Sequence, residues 1–225
     1  MFFGGGLIAA VSKRFLKETQ DMLLQEDKKT IMRQELIEGT IRTVAALGLE
    51  NTTTNAICTV SNINVAYIYR FFESKEDLIA GAFDAVDDEL LGVILKNFTV
   101  LHYESIDYES RCRVLFMKCW DHLMQHPEEL IFYVRYYYSA SFQKYSSGEH
   151  MERYAVLLEK MKTAFPKTTD VRTVMRHILD TLLGEAIKQI NEPKADSSIA
   201  ATVSFRLIFS VVKSYVKQDK LDEER

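Results

Sequence analysis

Residues 52–75 read TTTNAICTVSNINVAYIYRFFESK, and this stretch decides the fold. Thr53 is the type of residue that caps a helix, its hydroxyl accepting from a backbone N–H in the first turn. Ala56, Ile57 and Val60 follow at spacings that put them on one inner face. Asn62 falls where the chain must turn, and Asn tolerates positive φ nearly as well as Gly. Ile63 packs from that turn, Asn64 caps a second short helix, and Ile68 and Phe72 form its inner side. Ser74-Lys75-Glu76-Asp77 then reads as a capping box with acidic residues in the first turn of a long helix. Two short helices joined by a turn of about three residues make a helix-turn-helix.

On both sides of this stretch, apolar residues recur with a period near 3.6 and no run alternates like a strand. The expected fold is all-α, with about nine or ten helices. A helix from about Lys28 ends at Gly48, a suitable C′ residue. The helix opened by Ser74 runs to about Asn97, and later helices span about 108–125, 127–145, a stretch ending near Pro166, 169–191 and 197–218. Pro127 is placed as the first residue of its helix. The expected organisation is an N-terminal extension (1–27), a helix-turn-helix domain (28–73) and a C-terminal helical ligand-binding and dimerisation domain (74–225). Leu7, Val11 and Phe15 suggest that the extension is itself an amphipathic helix, although Met22 and Met32 are alternative starts. The absence of an apolar run of about 20 residues, or of a basic segment before residues 2–11, predicts a cytoplasmic protein without a membrane span.

Charge does not support the helix-turn-helix. The net charge is −4, and the first eighty residues carry nine Lys and Arg against ten Asp and Glu. Pattern carries the case instead. The three cysteines, Cys58, Cys112 and Cys119, match no metal or redox spacing and read as buried thiols.

Leu36-Ile37 through Gly48, Thr52-Thr53, Ile57, Ile63-Asn64-Val65, Ile68-Tyr69-Arg70-Phe71-Phe72, Ser74-Lys75 and Leu78 together resemble the N-terminal signature of the TetR family. The likeness covers about fifty residues. Departures are small: Cys58 and Ser61 stand where alanines are usual, Asn62 for the turn glycine and Asn64 for the capping serine. The second short helix would enter the major groove of double-stranded DNA with its N-terminal part foremost. Val65, Ala66 and Tyr67 suit thymine methyls and base edges, and Asn64 a base or a phosphate. The resemblance implies that Thr52, Thr53, Tyr69 and Lys75 anchor the DNA backbone, and Arg70 is placed to join them. So few cations make weak binding for a single subunit, so a dimer on a palindromic operator is expected.

Two later helices are apolar on too many sides for a surface position. Val174, Ile178, Leu182, Ile208, Val212 and Tyr215 are therefore candidates for a homodimer interface of four helices, the family's arrangement; a hairpin internal to one subunit is the alternative. The family resemblance also implies an effector pocket in the aromatic middle of the chain. Phe116, Trp120, Met124, Tyr133, Tyr137 and His177 are candidate contacts to a small hydrophobic or aromatic effector, although such stripes also build plain cores. Arg135, if it faces inward, would orient an anionic group.

His122 and His126 stand i, i+4, the spacing of a shared metal, but no third ligand falls at a fitting spacing, so no metal and no cofactor is expected. No nucleophile elbow, P-loop or dinucleotide glycine pattern is present, and no enzymatic activity is expected. The function implied is a ligand-responsive regulator, most simply a repressor. The rival is a small-molecule-binding protein of the same fold that no longer binds DNA.

Overall fold

The computed structural model describes residues 5–193 and 196–221, with side chains from Leu24 onward. The described residues form twelve α-helices and short 3-10 turns, with no strand among them. No helix among them is long and apolar enough to cross a membrane.

Helix α1 (Gly5–Leu47) is a single helix of 43 residues, crossing the expected boundary at residue 28 without a break. Between Leu7 and Glu38 the sequence holds neither proline nor glycine, so nothing interrupts the ladder of backbone hydrogen bonds. The amphipathic spacing expected of Leu7, Val11 and Phe15 lies outside the described side chains. At the far end Gly48, at φ 84°, turns the chain and donates its N–H to the Val44 carbonyl.

Helix α2 (Thr54–Ser61) crosses α1 at Gly39, where an added Cβ would lie 2.7 Å from the Ser61 Cβ. Only glycine permits that approach. The second short helix divides into a 3-10 turn (Val65–Tyr67) and α3 (Ile68–Phe71). Leu36, Val44, Ile57 and Ile68, fully buried, form the core that holds these pieces on α1. Burying each such side chain contributes roughly 1.5–3 kcal/mol.

Helix α4 (Lys75–Asn97) continues from this head into the body and packs on α1. The body adds α5 (Tyr108–Gln125), α6 (Pro127–Tyr137), α7 (Ala140–Tyr145), α8 (Ser147–Arg153) and α9 (Ala155–Met161). After these come α10 (Val171–Asn191), α11 (Ser197–Val212) and the short α12 (Gln218–Leu221). The sequence suggested one helix over 127–145, and the structure breaks it at Tyr138-Ser139. There the Ser139 hydroxyl accepts from the Phe142 N–H and starts a new helix. That turn carries Phe142 onto Phe83 and Tyr136, at ring centroids of 5.2 and 6.1 Å.

Asp87 on α4 is completely buried and ties these short helices to it. Its Oδ1 accepts from the hydroxyls of Tyr133 (2.8 Å) and Tyr154 (3.1 Å). Its Oδ2 lies 2.8 Å from His150 Nδ1 and accepts from Arg153 Nε and Nη2 at 3.2 and 3.1 Å. A buried carboxylate is tolerated because every one of its acceptor positions is used.

Candidate nucleic-acid interface

Local capping sets the shape of the reading element. The Thr53 hydroxyl accepts from Ala56 N–H at 3.1 Å and starts α2. Asn62, at φ 55° and ψ 36°, ends it in the left-handed region. Asn64 Oδ1 accepts from Ala66 N–H at 2.9 Å and starts the next turn. Ser74 Oγ accepts from Asp77 N–H at 3.0 Å, and the Asp77 carboxylate reaches back to the N–H of Glu73 at 2.8 Å. The caps of Thr53, Asn64 and Ser74 each satisfy a donor that a helix start leaves without a partner.

Between these caps, Asn64, Val65, Ala66, Tyr69 and Arg70 are exposed, while Ile63, Ile68 and Phe72 are buried. Tyr67 is half-buried, its ring stacked on Phe71 at 6.5 Å. One face of a short helical element thus presents a run of side chains outward, with its inner face fixed in the core. Tyr69 is 63% exposed.

Two of the expected backbone anchors are arranged differently from the others. Thr52 is buried, and its hydroxyl donates inward to the Gly48 carbonyl at 2.7 Å. Its own carbonyl accepts from Lys75 Nζ at 3.1 Å. Lys75, half-buried, therefore bridges the start of α4 to the loop before α2, and its charge sits at the junction of two helix N-termini. Thr53 is exposed beside them.

The body holds a cavity of about 340 Å³ enclosed by the end of α4, α5, α9, α10, α11 and α12. Its wall is aliphatic and aromatic, with Phe116, Leu157, Ile178, Leu182, Phe205 and Ile208 among its residues. His102, Lys160, Thr163 and Lys220 are the polar exceptions. Of the six expected effector contacts, Phe116 lines this cavity and the other five do not. Trp120 is buried behind Phe116, and its indole N–H donates to Ser197 Oγ at 3.0 Å. Met124 packs on the core, and Tyr133 and Tyr137 belong to the aromatic cluster around Asp87 and His150. His177 is partly buried on α10, with its Nε2 buried and without a hydrogen-bond partner. Arg135 does not face inward: its Nη1 donates to the Val44 carbonyl at the end of α1.

Ile178, Leu182, Ile208 and Val212, expected at a subunit interface, line the cavity instead, and Val174 is buried within the subunit. The outer face of α11 carries a different stripe, Ile199, Val203, Leu207 and Val211, which Tyr215 continues. These are between 45% and 57% exposed. The sequence contained the signal for this division. Ile199, Val203, Leu207 and Val211 are spaced by four, one step off the inner row Ala200, Ser204, Ile208 and Val212.

The capped helix-turn-helix thus stands at one end of an all-helical body. Residues 36–82 match the family model of bacterial regulatory proteins, tetR family. No curated protein matches the chain. Among solved structures, a TetR family transcription regulator from Marinobacter aquaeolei VT8 is 17% identical, with 86% of this chain and 98% of that chain covered and a TM-score of 0.64. The fatty acid degradation regulator FadR from Bacillus halodurans is 18% identical over 79% of this chain and 94% of that chain, at a TM-score of 0.61. FadR from Bacillus subtilis, in complex with stearoyl-CoA, is 15% identical over 78% and 96%, at 0.60. At these identities the likeness is one of fold.

Proposed function

We propose that the chain is a repressor that binds a palindromic operator as a homodimer and is released by a hydrophobic effector held in the body. The exposed run from Asn64 to Arg70, set between capped and buried neighbours, carries the DNA-binding part. Val65 and Tyr69 face solvent, and they suit thymine methyls and phosphate oxygens. Two such elements set about 34–36 Å apart would meet successive major grooves. The apolar stripe on the outside of α11 supports the dimer, because it needs a second copy of the same surface to leave water.

The cavity supports an effector with an apolar body. Its few polar groups include two lysines, Lys160 and Lys220, which favour an anionic end. A long-chain acyl compound fits both features, and stearoyl-CoA is the ligand in the Bacillus subtilis FadR structure. Helix α4 starts at the reading element and ends in the cavity wall at Ile94, so a ligand pressing on that end moves a helix shared by both sites.

The experiment is selection of bound sequences from random duplex DNA, followed by gel-shift titration on the selected site. A palindromic consensus bound in the nanomolar range, and released by an acyl-CoA, is the expected result. Failure to enrich any sequence at low salt would refute the DNA-binding role. Enrichment without any release by acyl compounds would refute the effector.

A further inference from the structure

At the cleft between α1, α4 and α6, and beside it on α5, stands a group of side chains that DNA reading and effector binding leave unused. His122, in the last turn of α5, and His126, at the junction of α5 and α6, face each other with ring centroids 4.6 Å apart. Glu89 comes to them from α4. One ligand atom from each of Glu89, His122 and His126 lies within 4.8 Å of the other two. Glu129, in the first turns of α6, places Oε1 3.3 Å from His126 Nδ1. Its other oxygen, Oε2, is buried without a hydrogen-bond partner.

The surroundings favour a cation. The cleft, of about 430 Å³, is lined by the carboxylates Glu38, Glu89, Glu128 and Glu129 against a single guanidinium, Arg42. Carboxylates gathered in this way repel one another, and a divalent ion between them turns the repulsion into attraction. The donor set narrows the choice of ion. Two imidazole nitrogens with carboxylate oxygen suit zinc and its neighbours, whereas magnesium and calcium prefer oxygen alone.

We propose that Glu89, His122 and His126 form a binding site for a divalent transition-metal ion of the zinc class. Glu129 orients His126, as carboxylates commonly orient metal-bound imidazoles. Bonds of about 2.0–2.2 Å in a tetrahedral site bring ligand atoms to roughly 3.3–3.6 Å from one another. The three side chains therefore draw in by about an ångström on binding. Glu89 is exposed and free to make most of that movement. The bound ion pins α4 to the α5–α6 junction beside α1, where body and head meet. This site is independent of the proposed effector and operator.

The test uses the full chain, stripped with a chelator and titrated with Co²⁺ by visible absorption and with Zn²⁺ by calorimetry. One ion per chain is expected, with the ligand-field bands of a four- or five-coordinate nitrogen and oxygen site. Zn²⁺ should raise the thermal midpoint. Substituting His122→Ala or His126→Ala should weaken binding at least about tenfold, and Glu89→Gln should do the same, while His102→Ala leaves it unchanged. Glu89→Gln alters an exposed side chain, so it keeps the test decisive even if a histidine variant folds poorly. No saturable binding up to millimolar Co²⁺ would overturn the proposal. So would unchanged affinity in Glu89→Gln, which would mark the bound metal as adventitious.

Discussion

Arg135 Nη1 on α6 donates to the carbonyl oxygen of Val44, at the end of α1, at 2.6 Å. That carbonyl belongs to the last turn of a helix, where acceptors outnumber donors and partial negative charge collects. The guanidinium thus caps the helix that carries the head, and it does so from the body. Arg135→Ala should lower stability by about 1 kcal/mol. Differential scanning fluorimetry should show a fall in thermal midpoint of about 2–4 °C. Arg135→Lys should recover only part of it, since a single ammonium lacks the fork of the guanidinium. No shift in Arg135→Ala would show that the contact contributes nothing.

The Asp87 cluster should be far more costly to break. Removing the carboxylate leaves two tyrosine hydroxyls, His150 and Arg153 facing a buried void. Urea unfolding of Asp87→Ala should show a loss of about 3–5 kcal/mol, in the range for one lost partner of a buried charge network. Asp88, whose side chain is 62% exposed, lies 3.5 Å from the same Arg153. Asp88→Ala should cost less than about 1 kcal/mol. Equal losses in the two variants would contradict the role assigned to burial.

Burial pushes the thiols of Cys112 and Cys119 up to about 12, and raises Cys58 more modestly. At pH 8 these two thiols are held in the protonated form. A thiol reagent should therefore modify at most Cys58 in the native protein, and all three in urea. Because the folded pKa lies above the unfolded value of about 8.5, the contribution to stability is complete below that pH. It is lost as pH rises from about 9 towards 12. Stability should decline over that alkaline window, and Cys112→Ala with Cys119→Ala should flatten the decline. Rapid native labelling of more than one thiol would refute the burial.

The parts of this fold legible in the sequence are those fixed by near neighbours. Thr53, Asn62, Asn64 and Ser74 each act on backbone within four residues, so their identity and spacing sufficed to place the helix-turn-helix. The body was legible in type but not in allocation. Phe116 and Trp120 stand i, i+4 on α5, yet Trp120 is core and Phe116 lines the cavity. Periodicity shows that a face is covered, and says nothing about whether side chain, ligand or subunit covers it. Glu89 is 33 residues from His122 in sequence, so the third member of that group becomes visible only when α4 is packed against α5. Arg135 posed the same difficulty, since its partner lies in a helix 91 residues away.

Helix α11 separates two roles that its composition merges. Ile208 and Val212 face inward to the cavity, while Val203, Leu207 and Val211 face out. If the outer stripe is the subunit interface, Leu207→Glu buries a charge against its own symmetry mate. Two like charges without a partner in an apolar interface are enough to dissociate it. Sedimentation velocity should show a monomer, with circular dichroism unchanged and operator affinity reduced by orders of magnitude as one half-site is lost. Ile208→Ala should behave in the opposite way. It should leave the dimer and operator binding intact and widen the cavity, at a cost of about 2–5 kcal/mol in stability. A dimer that survives Leu207→Glu and dissociates in Ile208→Ala would reverse the assignment of the two faces.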